Sequence, residues 1–110
     1  MRYEISKQGN STILQINEER FDAKLAPAFR NHVEAIQQEL GDYIVLDIQN
    51  VKFMDSSGLG ALMAIYKLLK DKNIAVANAQ SPVLSLFKLT RMDRLIKTFD
   101  SVDAALETAV

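Results

Sequence analysis

Ile44-Val45-Leu46-Asp47-Ile48 and, shortly after it, Asp55-Ser56-Ser57-Gly58-Leu59-Gly60 mark the place where a strand gives way to a helix. The first stretch is a nearly unbroken apolar run, the composition of a parallel strand buried on both faces. Beyond the second, Leu59, Leu62, Met63, Tyr66 and Leu69 recur at helical spacing, so the hexapeptide is the turn between strand and helix. That turn sets two hydroxyls at a helix N-terminus, where the first amides lack intrahelical acceptors and the positive end of the macrodipole lies. A serine placed there accepts a dianion at little electrostatic cost, so one modification would switch a surface.

Asp and Ser are ordinary N-cap residues, and capping alone accounts for their presence. It does not account for Gly58 and Gly60, since glycine costs about 1 kcal/mol relative to Ala inside a helix. The pair points to a close backbone approach at this turn. Phe53-Met54 adds apolar side chains beside it, which suits a contact surface, although Phe53 fits a core position equally well.

Outward from the turn, strand and helix patterns alternate. Met1 to Ser6 alternates apolar with polar, and Thr12-Ile13-Leu14-Gln15-Ile16 continues after Gly9-Asn10, which predicts a hairpin with a Gly-Asn turn. Leu25, Ala28, Phe29, Val33, Ile36 and Leu40 form one stripe of a helix from 24 to 40, with Pro27 in its first turn and Gly41 just past its end. A strand over 43–48, the serine turn and a helix of about 15 residues ending in Lys70-Asp71-Lys72-Asn73 follow. Ile74-Ala75-Val76-Ala77 is a further strand. Ser81, as N-cap, and Pro82 open a helix with Val83, Leu86, Phe87 and Thr90 on one side. Lys97-Thr98-Phe99 reads as a brief edge strand, and Ser101 caps a last helix carrying Val102, Ala105, Leu106 and Ala109. The alternation predicts an α/β fold: an N-terminal antiparallel hairpin, then parallel strands joined by crossover helices, in a mixed sheet of about four to five strands with about four helices.

The chain of 110 residues fits one domain, taken as residues 1–110, without repeats or linkers. Thirteen basic and 14 acidic residues leave a net charge of -1, which disfavours nucleic acid and anionic membranes as partners. Without cysteine there is no disulfide framework and no thiolate metal site, a composition suited to a reducing cytosol. No apolar stretch approaches the roughly 20 residues of a membrane helix, nor the apolar run of a signal peptide. A cytoplasmic location follows as the expectation.

Catalysis fits poorly. A serine nucleophile needs a base, and the one histidine, His32, falls on the helix over 24–40 beside Phe29, Val33 and Ile36, where a structural or surface role is the simpler account. A nucleophile elbow would place glycines two residues either side of the serine; Ser57 has Asp55 and Leu59 there, and Ser56 has only Gly58. A Walker loop would follow its last glycine with Lys and Ser or Thr, whereas Ala61 and Leu62 follow Gly60. The scattered carboxylates show no metal-ligand spacing. No enzyme activity, cofactor or metal is expected.

Val45-Leu46-Asp47 together with the run from Phe53 to Leu62 resembles the signature of the STAS domain family, specifically bacterial anti-sigma factor antagonists, and the similarity extends over nearly the whole chain. The resemblance implies a small α/β domain that binds a cognate ATPase-type serine kinase, often an anti-sigma factor, and so frees what that kinase sequesters. It implies that the kinase phosphorylates the second serine of the pair, Ser57, and that a metal-dependent phosphatase reverses this. Met54, Asp55, Ser56, Gly58, Leu59 and Gly60 would then border the docking surface. The family's acidic docking residue maps to Asp22 in Arg20-Phe21-Asp22-Ala23, where an ordinary helix cap is an equal reading and both can hold. Glu19 stands where the family often has glycine. The free protein is expected to be a monomer. A competing reading makes the chain an unmodified scaffold or accessory subunit of a stress-sensing assembly or a transporter ATPase, a role marked by a long fused domain or a membrane segment. Neither mark is expected here.

Overall fold

A computed structural model describes residues 1–108 of the chain. Strands β1 (Tyr3–Gln8) and β2 (Ser11–Ile16) form the expected antiparallel hairpin around Gly9 and Asn10, with Gly9 at φ 59°. There follow β3 (Arg20–Phe21), α1 (Ala26–Ile36), β4 (Tyr43–Asp47), β5 (Phe53–Met54), α2 (Ser56–Leu68), β6 (Asn73–Ala77), α3 (Ser81–Leu89), β7 (Lys97–Phe99) and α4 (Val102–Thr108). The main sheet has five strands in the order β1-β2-β4-β6-β7, antiparallel only at its first pair, as the alternation predicts.

That monotonic order decides where the helices lie. Right-handed crossovers that all advance in one direction deliver their helices to the same face. Leu14, Leu46 and Val76 meet Phe29 and Val33 of α1, Leu62 and Ile65 of α2, and Val83 and Phe87 of α3 there in the main core. The intervening residues Ile13, Val45 and Ala77 face the other way, onto Ala105 of α4. The alternation along each strand thus fills both faces of the sheet.

Several boundaries differ from the sequence reading. The first helix ends at Ile36 and tightens into a 3₁₀ turn, Gln37–Glu39, before Leu40 becomes extended. Gly41 is therefore not a helix terminator; a Cβ there would overlap the Asn10 carbonyl, so the hairpin turn requires it. The helix after the serines stops at Leu68 rather than running on to residue 73, because Lys72 N–H bonds back to the Leu69 carbonyl in a tight turn. Helix α3 is capped by Gln80 rather than Ser81; Leu84 N–H reaches the Gln80 carbonyl, and the Gln80 side chain reaches the Gln49 carbonyl at 2.7 Å. Ser101 does cap the last helix, accepting from Ala104 N–H at 3.0 Å. Ala109, expected on that helix, lies outside the described residues.

The unforeseen element is a second, two-stranded parallel sheet. Arg20 and Phe21 pair with Phe53 and Met54, and this ribbon stands apart from the main sheet. The strand over 43–48 ends at Asp47, so the ribbon and a loop intervene before the serine turn.

Candidate functional site

Asp55 is the N-cap of α2: its backbone is extended, and its carboxylate Oδ1 accepts the Gly58 N–H at 3.0 Å while its carbonyl accepts the Leu59 N–H at 3.0 Å. Ser56 and Ser57 occupy the first two helical positions, and both are exposed. Their amides precede the first intrahelical donor, the Leu59 N–H, and have no intrahelical acceptor, so the Ser57 hydroxyl sits in the positive field of the helix N-terminus and open to water.

The glycine pair divides. Gly58 is buried, and a Cβ there would overlap the Phe21 carbonyl oxygen and lie 2.9 Å from the Met54 Cγ. The close backbone approach anticipated at this turn is thus the contact of α2 with β3. Gly60 has open space where a Cβ would be, so no close approach requires it.

Alternation in the ribbon corrects a second expectation. Phe21 and Met54 point inward, Met54 being 7% exposed, while Arg20 and Phe53 point outward, Phe53 being 41% exposed. Met54 and Gly58 therefore shape the surface from beneath rather than forming it. Leu59 is half-buried, and Phe53 supplies the exposed apolar area that sequence reasoning could not assign. The Arg20 guanidinium carbon lies 4.3 Å from the Phe53 ring centroid, a cation–π contact whose signal in the sequence, two residues of β3, was too short to register.

Because Phe21 is locked under Gly58, the residue after it is carried to the same end of the molecule. Asp22 accepts the Lys24 N–H at 3.1 Å and its carbonyl accepts from Leu25 and Ala26, but the N-cap of α1 is Leu25 with no side-chain cap bond, so Asp22 braces the turn leading into the helix rather than capping it. Desolvation works against its ionisation, but the hydrogen bonds from the Lys24 N–H and from Arg20 prevail and hold its carboxyl below the usual range. A shallow cleft of about 340 Å³ opens beside it, lined by Arg2, Glu18, Glu19, Arg20, Asp22, Lys24 and Leu25. Glu19 pairs with Lys52 at 3.0 Å, and its carbonyl accepts the amides of Lys52 and Phe53, tying the ribbon together at its start.

Behind the turn, the buried carboxylate of Asp47 at the end of β4 gathers three donors: Gln15 Nε2 at 3.2 Å, Gln49 N–H at 3.2 Å and Asn78 Nδ2 at 3.1 Å. It joins the ends of β2, β4 and β6 and anchors the loop that leads to the ribbon. His32 is exposed on α1, 5.0 Å from the Tyr3 ring. Its place on α1 with Tyr3 as its aromatic neighbour fits the surface role expected of it. Among the described residues no group of three His, Asp or Glu could hold a metal ion, and no helix is long and apolar enough to cross a membrane. A larger cleft, about 730 Å³, lies at the other end of the strands against Tyr43, Asn73 and Lys97.

The STAS domain model matches residues 2–105. An anti-sigma F factor antagonist of Paenibacillus polymyxa is 38% identical over 80 residues, covering 70% of this chain and 68% of that protein. An anti-sigma-B factor antagonist of Listeria monocytogenes is 27% identical over 78 residues, covering 69% of this chain and 68% of that one. The crystal structure of an anti-sigma factor antagonist from Mycobacterium paratuberculosis superposes with a TM-score of 0.86 over 97% of this chain and 92% of its own; at 24% identity it speaks for the fold alone.

Proposed function

The chain belongs to the STAS domain family, and from that premise we propose that it is an anti-sigma factor antagonist working by partner switching. In this reading the unmodified protein docks, through the surface around Asp22, Asp55, Ser56, Ser57, Leu59 and Gly60, onto a cognate ATPase-type serine kinase that acts as an anti-sigma factor. The kinase phosphorylates Ser57 and is released, and a metal-dependent phosphatase restores the hydroxyl. The chain itself catalyses nothing, acts in the cytoplasm and is a monomer when free.

The observation that carries this reading is the exposed Ser57 hydroxyl at the second position of α2, beside a cap carboxylate already committed to the Gly58 amide. Phosphorylation adds about -1.5 to -2 charge at pH 7. In the free protein the helix N-terminus offsets that charge and water solvates it. In a complex the dianion would have to shed water against Phe53 and Leu59 with Asp55 alongside, and desolvating an unpaired charge is costly. Reversing a 99:1 equilibrium takes about 5.5 kcal/mol of differential affinity, a demand within reach of such a penalty.

The test is phosphopeptide mapping of the chain purified from its own cells, with identification of what co-elutes. Phosphate on Ser57 and a co-eluting serine kinase support the reading. Phosphate on Ser56 would move the switch by one residue, and an unmodified chain held in a large assembly would favour the scaffold role.

A further inference from the structure

The outward face of the β3–β5 ribbon carries a pair that the fold does not require. Phe21 and Met54 fill the inward positions, so any small polar side chains would serve outside; instead Phe53 leaves 41% of its surface to solvent with the Arg20 guanidinium stacked on it at 4.3 Å. The Arg20 side chain is 63% exposed. Of its five N–H donors, Nε faces the Asp22 carboxylate at a long 3.4 Å, and the terminal groups remain open to water. The cation–π contact seats the guanidinium over the ring, so its donor fork lies on this outward face of the ribbon. Phe53 precedes the cap residue Asp55 by two positions, which makes this pair continuous with the serine turn.

We infer that the docking surface extends past the serine turn onto Arg20 and Phe53, where the protein partner presents a carboxylate side chain to the guanidinium fork and an apolar side chain to the rim of the ring. This inference rests on the partner-switching reading and specifies the chemistry of the partner at that site. A cation at Arg20 next to an anion at Asp22 asks for the opposite order of charge on the partner, and such alternation fixes the register of docking. Arg and the aromatic residues, Phe among them, are also enriched at protein interfaces.

The test is calorimetric titration of the unmodified chain with the purified anti-sigma factor kinase of the same organism. Phe53→Ala and Arg20→Ala are each expected to weaken binding about tenfold or more. Arg20→Lys is expected to remain weakened, because an ammonium keeps the charge but lacks the planar fork. Thermal midpoints recorded in parallel should stay at the wild-type value, since both side chains lie outside the core. If both alanine variants bind as tightly as the wild type while Ser57→Asp still releases the kinase, the extended surface is refuted and the switch stands. If the wild-type chain binds no such kinase, both fall together.

Discussion

The backbone carbonyl of Phe21 lies directly against Gly58, so close that no side chain fits between them. This contact joins the segment bearing Asp22 to the helix turn bearing Ser57, two parts of the chain that the sequence separates by more than thirty residues. Because the obstructing atoms are backbone, Gly58→Ala must displace either β3 or the start of α2. Overpacking of this kind costs about 1–3 kcal/mol. Gly60→Ala meets open space within the same helix and removes glycine's helical penalty, a gain of up to about 1 kcal/mol. Urea unfolding of the two variants should therefore move in opposite directions.

Asp47 holds three amide donors with a buried carboxylate, tying together the strand ends behind the serine turn. Asp47→Asn keeps the shape but sets an NH₂ group against N–H donors. Leaving buried donors unsatisfied costs about 1–3 kcal/mol, and the denaturation midpoint should fall accordingly. A midpoint equal to that of the wild type would show that the loop is anchored elsewhere.

Acid should loosen the start of the hairpin. The Arg2 backbone N–H, donating to Glu18 at 2.8 Å, holds that carboxyl below its ordinary 4.5, with the Arg2 charge adding to it and partial desolvation opposing. A carboxyl depressed in the folded state contributes stability that is fully present above its unfolded value and is lost as pH falls through the lower folded value. Thermal midpoints measured from neutral pH downward should thus hold until about pH 4.5 and then decline, and Glu18→Gln should remove part of that decline.

Most of the architecture was legible because each main strand carries its own pattern: Ile44 to Ile48 is apolar but for Asp47, and the helix stripes repeat without ambiguity. The ribbon was not. Two residues give no periodicity, so nothing in Arg20-Phe21 announces a strand, and without its partner the alternation that turns Phe53 outward and Met54 inward has no reference. The same gap explains the assignment of Met54 and Gly58 to the surface: their burial depends on Phe21, a contact distant in sequence. Gly41 follows the same logic, since its obligation is to Asn10 across the fold and not to the helix before it. The serine turn itself was legible because a helix N-terminus is a local feature, written in the cap Asp55 and the stripe that follows.

The central claim is that a phosphate on Ser57 governs docking without governing folding, and the direct measurement is calorimetric affinity for the cognate kinase of the unmodified and the Ser57-phosphorylated chain, with thermal midpoints of both. The unmodified form is expected to bind tightly and the phosphorylated form more weakly by several orders of magnitude, on the order of the shift that exchanges 99:1 for 1:99, with nearly equal midpoints. Equal affinities, or a lost affinity that merely follows a collapsed midpoint, would contradict it.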